Sequence, residues 1–338
     1  MAIKLSILDQ SPVFPGSTPA EAFQNTLTLV KKAEQLGYNR FWVSEHHDSA
    51  QVAGSSPEVL ISFLLAQTES IRIGSGGIML QHYSPYKVAE NFNLLATLAP
   101  GRVDLGIGRA PGGLPRSTQA LQKGVSQEQS LQDKLVELEH FVQNTLPADH
   151  ALAGLQASPV PEQPAEIFVL GASVASAKLA AEAGYPYVFA QFINSDAAVA
   201  EEALTAYHAE FRSDKGKQPQ AILALSLIAA NTDEEAALLA SDHKNVKIHL
   251  ENGKTLTVGT VEQAEEFGRQ SGQTYTVEVK EAEITKGSKE TVRRRLLEWQ
   301  QKHHVNEFII TTAVKDFAAR IRSYELLSEA FAELAVES

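Results

Sequence analysis

Four short runs hold the residue types best suited to chemistry, and each stands at the end of a segment that reads as a β-strand. Glu45-His46-His47 follows the run 40–43. Imidazole titrates near neutrality, so a histidine at a strand end suits general acid or base work, and a neighbouring carboxylate can orient or charge it. Two adjacent histidines also serve as a hydrogen-bonded structural pair; the strand-end position favours the acid–base reading for His46. A metal centre is not expected, because the metalloprotease spacing His-Glu-x-x-His is absent and the chain has no cysteine.

Gly74-Ser75-Gly76-Gly77-Ile78 closes the run 71–75. So many glycines at a strand end suggest close backbone approach to a flat ligand, or a kinked or unusual peptide. Gly106-Ile107-Gly108-Arg109-Ala110-Pro111-Gly112-Gly113 ends the run 102–107. It has Pro111 where a dinucleotide fingerprint needs its last glycine, yet a guanidinium in a glycine-rich loop suits a phosphate. Gly171-Ala172-Ser173-Val174-Ala175-Ser176 leads from the run 166–170 into a helix. Ser173 reads as an N-cap, and the free N–H groups of that helix end also make an anion site; the two readings are compatible.

The elements that must position these runs alternate along the chain. Strand-like runs at 3–8, 40–43, 71–75, 102–107, 166–170, 187–191, 221–229 and 306–311 are separated by helical stretches at 19–36, 57–68, 85–98, 126–144, 174–183 and 197–212. Such spacing gives parallel strands joined by helical crossovers, and eight of them favour a closed (β/α)8 TIM-type barrel over an open sheet. The stretch 109–124 reads as a polar loop, and 147–164 as an irregular excursion. Residues 243–286 break the rhythm with strand-like 255–258 and 275–279 around a helical 261–270, an insertion between the seventh and eighth strands that is either a lid or a surface elaboration. The whole reads as one barrel domain over residues 1–338.

Composition removes several classes of function. With 338 residues, 43% of them hydrophobic, the chain can bury the core of a large barrel. A net charge of -12 argues against a nucleic-acid partner. Arg293, Arg294 and Arg295 are consecutive on a helical run, where they point in different directions and read as a solvated face. The lack of cysteine excludes disulfides, thiolate metal sites and thiol nucleophiles. No leader and no membrane-spanning apolar stretch is seen, so no membrane association is expected and the cytoplasm is the expected compartment.

Taken in order, these pieces resemble the bacterial-luciferase-like flavin monooxygenases, including the single-chain luciferase-like oxidoreductases. The resemblance rests on Leu8-Asp9-Gln10-Ser11-Pro12, Phe41-Trp42-Val43-Ser44-Glu45-His46-His47, Ile73-Gly74-Ser75-Gly76-Gly77-Ile78, the helix start at 85–90, Gly101-Arg102-Val103-Asp104-Leu105-Gly106-Ile107-Gly108-Arg109 and Arg322-Ser323-Tyr324-Glu325. It implies a barrel that binds reduced FMN (FMNH2) supplied by a separate NAD(P)H:flavin reductase. Molecular oxygen adds at the flavin C4a, and the resulting peroxide attacks a small organic substrate. His46 is similar in position to the family's catalytic histidine, Arg109 to its phosphate arginine, and Ser173 and Ser176 to its phosphate-loop residues. Gly76 and Gly77 are similar to the cis pair under the flavin ring, and Gln191, at the end of the sixth strand, is counted with the cofactor-binding residues. Gly108 stands where luciferase has a cysteine, and the insertion departs from luciferase, so light emission is not implied. The deazaflavin F420, or flavin binding without turnover, are the competing readings. Family members commonly pair through barrel helices, and the apolar stretch 57–68 is expected to form a homodimer.

Overall fold

The computed structural model describes residues 3–125, 129–213 and 216–332. Eight parallel strands form its barrel: β1 (Lys4–Asp9), β2 (Arg40–Val43), β3 (Arg72–Met79), β4 (Val103–Gly108), β5 (Glu166–Gly171), β6 (Tyr187–Ala190), β7 (Ala221–Ala229) and the late strand Glu307–Thr311. Each pairs with its neighbour in turn, the late strand lies between β7 and β1, and the β6–β7 pairing closes the ring. Between them run α1 (Pro19–Gln35), α2 (Pro57–Leu65), α3 (Pro85–Leu98), α4 (Pro115–Leu121), α5 (Leu131–Val142), α6 (Val174–Ala183), α7 (Ala197–Glu210) and α8 (Asp233–Ala240). The eight-stranded barrel is the architecture that the alternation predicts.

The helix starts follow from local chemistry. Thr18 caps α1 in a reciprocal box with Glu21, ahead of Pro19, whose fixed φ and missing N–H cost nothing in a first turn. Several boundaries differ from the sequence reading. The polar loop expected over 109–124 contains α4, whose Arg-Ser-Thr-Gln composition hides its helical character. The helix expected over 126–144 runs from Leu131 to Val142 behind a Ser130 cap, and 126–128 fall outside the described residues. The sixth strand stops at Ala190, leaving Gln191 just beyond it.

Within the insertion, β8 (Lys244–Leu250) lies between β9 (Thr255–Val258) and β10 (Tyr275–Glu281) in an antiparallel sheet, covered by α9 (Val261–Ser271). Two of these strands were legible; β8 was not assigned, although its buried Val246, Ile248 and Leu250 alternate at the strand period. A short β11 (Thr285–Gly287) then adds in parallel to the upper end of β7, followed by α10 (Lys289–His303), the late strand, now β12, and α11 (Phe317–Ala332). The insertion's core includes Leu114 just ahead of α4; the Arg116 N–H donates to Gln270 and the Thr257 hydroxyl to the Ile193 carbonyl. It is thereby tied to the loops that follow β4 and β6, at the end of the barrel where strands give way to loops.

Inside the barrel the side chains stack in layers, as period-two alternation requires. At the N-terminal end lie Arg40, Asp104 and Glu307, all buried: Arg40 donates from Nε to Glu307 Oε1 at 2.7 Å and from Nη1 to Asp104 Oδ2 at 2.9 Å. One layer up, Leu8, Trp42, Phe168, Val188, Ile222, Ala224 and Ile309 make an apolar floor. The larger core fills the shell between strands and helices.

Candidate active site

Strand parity decides which rim residues face the barrel interior. Along β2, Arg40 and Trp42 share the interior face, and just past it contacts join alternate residues, Ser44 with His46 and Glu45 with His47. His46 is half-buried; its Nδ1 lies 3.1 Å from the Ser44 hydroxyl, and its N–H donates to the Gly54 carbonyl at 2.8 Å. Burial, with the neighbouring His47 adding to it and Glu45 opposing, pushes its imidazole down to about 4. At neutral pH the side chain is uncharged, with one nitrogen to donate and one to accept.

The carboxylate expected to orient His46 serves another partner. Glu45 is fully buried, and its Oε1 sits 2.7 Å from His47 Nε2 and accepts the Tyr83 hydroxyl at 2.8 Å, while its Oε2 accepts the Met79 N–H at 3.0 Å. Residues adjacent in sequence point to opposite faces, so the pairing skips His46. Burial and the Glu45 charge raise the Tyr83 hydroxyl well above its ordinary value, so the phenol stays protonated and donates.

The Gly76–Gly77 peptide is cis, as the family resemblance implies, and the β3–β4 register shifts between Ser75 and Ile78. The glycines are required by approach of protein to protein. A Cβ on Gly76 would lie 2.7 Å from Leu8 Cδ1, one on Gly77 2.7 Å from the Gly106 carbonyl oxygen, and one on Gly106 2.1 Å from that of Ser75. Gly76 thus rests directly on the apolar floor of Leu8 and Trp42.

Arg109 is exposed just past β4, and its guanidinium makes no ion pair or hydrogen bond with the described residues. In the β4–β5 register Ile107 lies beside Val169, so continuing it brings Arg109 level with Gly171. There Ser173 caps α6: its hydroxyl accepts the Ser176 N–H at 3.3 Å, and Ser176 Oγ donates to the Ser173 carbonyl at 2.7 Å and lies 2.9 Å from the Tyr187 hydroxyl. The structure therefore brings Arg109, Ser173 and Ser176 to neighbouring rims, and His46 stands just past β2 at the same end of the barrel. Gln191, just past β6, lines with Ala197, Thr285, Trp299 and His303 a groove of about 430 Å³ between α7 and α10.

Sequence reasoning missed Gln81, His82 and Tyr83, which bind the rim loops from below; their place directly after β3 is the signal that pointed to them. Among the described residues no cluster able to hold a metal ion is present, and no helix is long and apolar enough to cross a membrane.

The family model for luciferase-like monooxygenases matches residues 3–309. An N-acetyl-S-alkylcysteine monooxygenase of Bacillus subtilis (strain 168) is 43% identical over 329 residues, covering 97% of this chain and 98% of its own. The crystal structure of apo-MsnO8 is 33% identical, covers 98% of both chains and superposes with a TM-score of 0.79. At 18% identity, the oxygenating constituent of 3,6-diketocamphane monooxygenase from Pseudomonas putida, in complex with FMN, shares the fold with a TM-score of 0.70 over 98% of both chains. By the family match and these full-length relatives, the chain belongs to the luciferase-like monooxygenase family and is an oxidoreductase that incorporates oxygen.

Proposed function

We propose that this protein is a two-component FMN monooxygenase: it takes reduced FMN from a separate NAD(P)H:flavin reductase and inserts one atom of molecular oxygen into a small organic substrate. The observation that carries this reading is the Arg109 guanidinium, without a partner among the described residues, level with the serine-capped start of α6. A guanidinium, two hydroxyls and a helix N-terminus are a donor set suited to a phosphate. When bound, reduced FMN supplies the electrons that activate oxygen. The protein's part is to hold the phosphate through Arg109, Ser173 and Ser176, to seat the ring on Gly76 and Gly77 above the apolar floor, and to exchange a proton at His46. Gln191 is kept as a rim contact on the strength of its place after β6. Reduced-flavin supply by an NAD(P)H enzyme puts the reaction in the cytoplasm.

The test supplies purified protein with FMN, a flavin reductase and ¹⁸O₂, and reads label in product by mass spectrometry. N-acetyl-S-alkylcysteines lead the substrate panel, since the Bacillus relative carries that name. Label in one product oxygen supports the reading; turnover with reduced F420 in place of FMN, or tight FMN binding without oxidation across the panel, would sink it.

Two expectations accompany it. Arg109→Ala should weaken FMN binding by about 1.5–3 kcal/mol, the worth of a charge-assisted hydrogen bond, and leave riboflavin binding unchanged. Isothermal titration with both flavins checks it, and unchanged FMN affinity would remove Arg109 from the phosphate site. The second concerns assembly. On α2, Ile61, Leu64 and Leu65 are buried, but Val59 and Phe63 are 68% and 50% exposed, and on the adjacent α3 Leu94 and Leu98 are 50% and 66% exposed. Each pair stands one helical turn apart, so α2 and α3 each present an exposed apolar edge, and a homodimer through them is expected. Light scattering at micromolar concentration should give a dimer for the native chain and a monomer for Phe63→Lys/Leu98→Lys; a native monomer would overturn it.

A further inference from the structure

The loop that carries Arg109 is held by its carbonyl groups, four in succession. Gln81 Nε2 donates to the Arg109 carbonyl at 3.1 Å and to the Ala110 carbonyl at 2.6 Å. His82 Nε2 reaches the Pro111 carbonyl at 2.8 Å, and the His47 N–H donates to the Gly112 carbonyl at 2.7 Å. The His82 ring is itself fixed. Its Nδ1 lies 3.0 Å from the side-chain amide nitrogen of Gln122, which can only donate, so His82 is the neutral tautomer with its proton on Nε2. Beneath both residues, the buried Lys134 of α5 donates to the carbonyls of Gln81 and Tyr83, at 3.2 Å each.

A loop of two glycines and a proline has little intrinsic preference for one path across a barrel rim. With four carbonyls taken from one side, residues 109–112 keep one path, and the point from which the Arg109 side chain projects is set. We propose that Gln81 and His82 are positioning residues for cofactor binding: they touch no ligand and act by fixing the backbone that aims Arg109. This role rests on the reading of Arg109 as the phosphate ligand.

The test compares FMN with riboflavin, which lacks the phosphate, binding to the full chain by flavin-fluorescence titration. Gln81→Ala and His82→Phe should each weaken FMN by about 10-fold, as loss of a supporting hydrogen bond does elsewhere, with riboflavin affinity unchanged. His82→Gln, whose amide nitrogen can stand where Nε2 does, should restore FMN binding, which a role in packing alone would not allow. In an Arg109→Ala background, Gln81→Ala should have no further effect on the FMN-to-riboflavin preference. If Arg109→Ala abolishes the preference while Gln81→Ala and His82→Phe keep it, the positioning role is overturned and the phosphate reading stands. If Arg109→Ala itself keeps it, both fall.

Discussion

Replacing His46 by alanine is expected to lower turnover by about 10²–10⁴-fold, the usual worth of a positioned general acid or base, while FMN affinity stays within a few-fold. His46 stands just past the C-terminal end of β2, at the barrel end that carries the Arg109 and Ser173 loops, with its Nδ1 3.1 Å from the Ser44 hydroxyl. His46→Gln separates hydrogen bonding from proton exchange, because an amide does the first and not the second; it should be nearly as slow as the alanine variant. The pH profile carries the sign of the argument. With the imidazole held down at about 4, the neutral form is the working one, so the rate should be flat from about pH 8 to about pH 5 and fall only below. Stability follows the same group: the folded chain favours neutral His46, a contribution fully present above the ordinary 6.5 and lost as the pH falls toward 4. Urea unfolding of His46→Gln should accordingly lose less stability on acidification than the native chain does. Normal turnover by both variants would move the chemistry to another group at the barrel mouth.

His46 was legible in the sequence, and its environment was not. A histidine at a strand end can be read from the run 40–47, but Glu45 was expected to serve it and instead binds His47 and Tyr83. Parity along the strand held the answer: i and i+2 share a face, i and i+1 do not. The parallel strands were legible because buried strands read as short apolar runs. The helix α4 and the strand β8 were missed because their signals are polar at most positions, and both owe part of their order to the contact each makes with the other's region. Gly76 and Gly77 were read correctly as a cis pair, although the backbone approach they permit is to Leu8 and Gly106. Of the consecutive arginines 293–295 on α10, Arg294 and Arg295 are exposed and Arg293 is half-buried, as three residues pointing in different directions should be. What sequence could not supply was the contact between neighbouring rim loops, where Gln81 and His82, after β3, meet the loop after β4 nearly thirty positions away.

The largest effect on stability is expected at the barrel's closed end. Arg40 is 3% exposed and binds Glu307 through both Nε and Nη2, at 2.7 and 3.2 Å, while Nη1 binds Asp104. Its guanidinium lies 4.7 Å from the centre of the Phe168 ring, so the charge layer and the apolar floor are in direct contact. Burial works against the Arg40 charge, yet the carboxylates of Asp104 and Glu307 hold it above its ordinary value. Removing the cation strands two buried carboxylates, which among the described side chains retain Trp42, Ser6, Asn39, a long contact from Gln220 and the more exposed Arg72 as donors. Arg40→Met should therefore cost about 3–5 kcal/mol, as loss of one partner of a buried pair does, seen as a lower urea midpoint at neutral pH. Arg40→Met/Glu307→Gln removes one stranded charge and should recover part of that loss, since an amide can keep the Ser6 and Asn39 contacts. If the double variant were no more stable than Arg40→Met, the cost would lie in packing under Trp42 and Phe168, and the ion layer would be no more than a filler of the barrel's lower end.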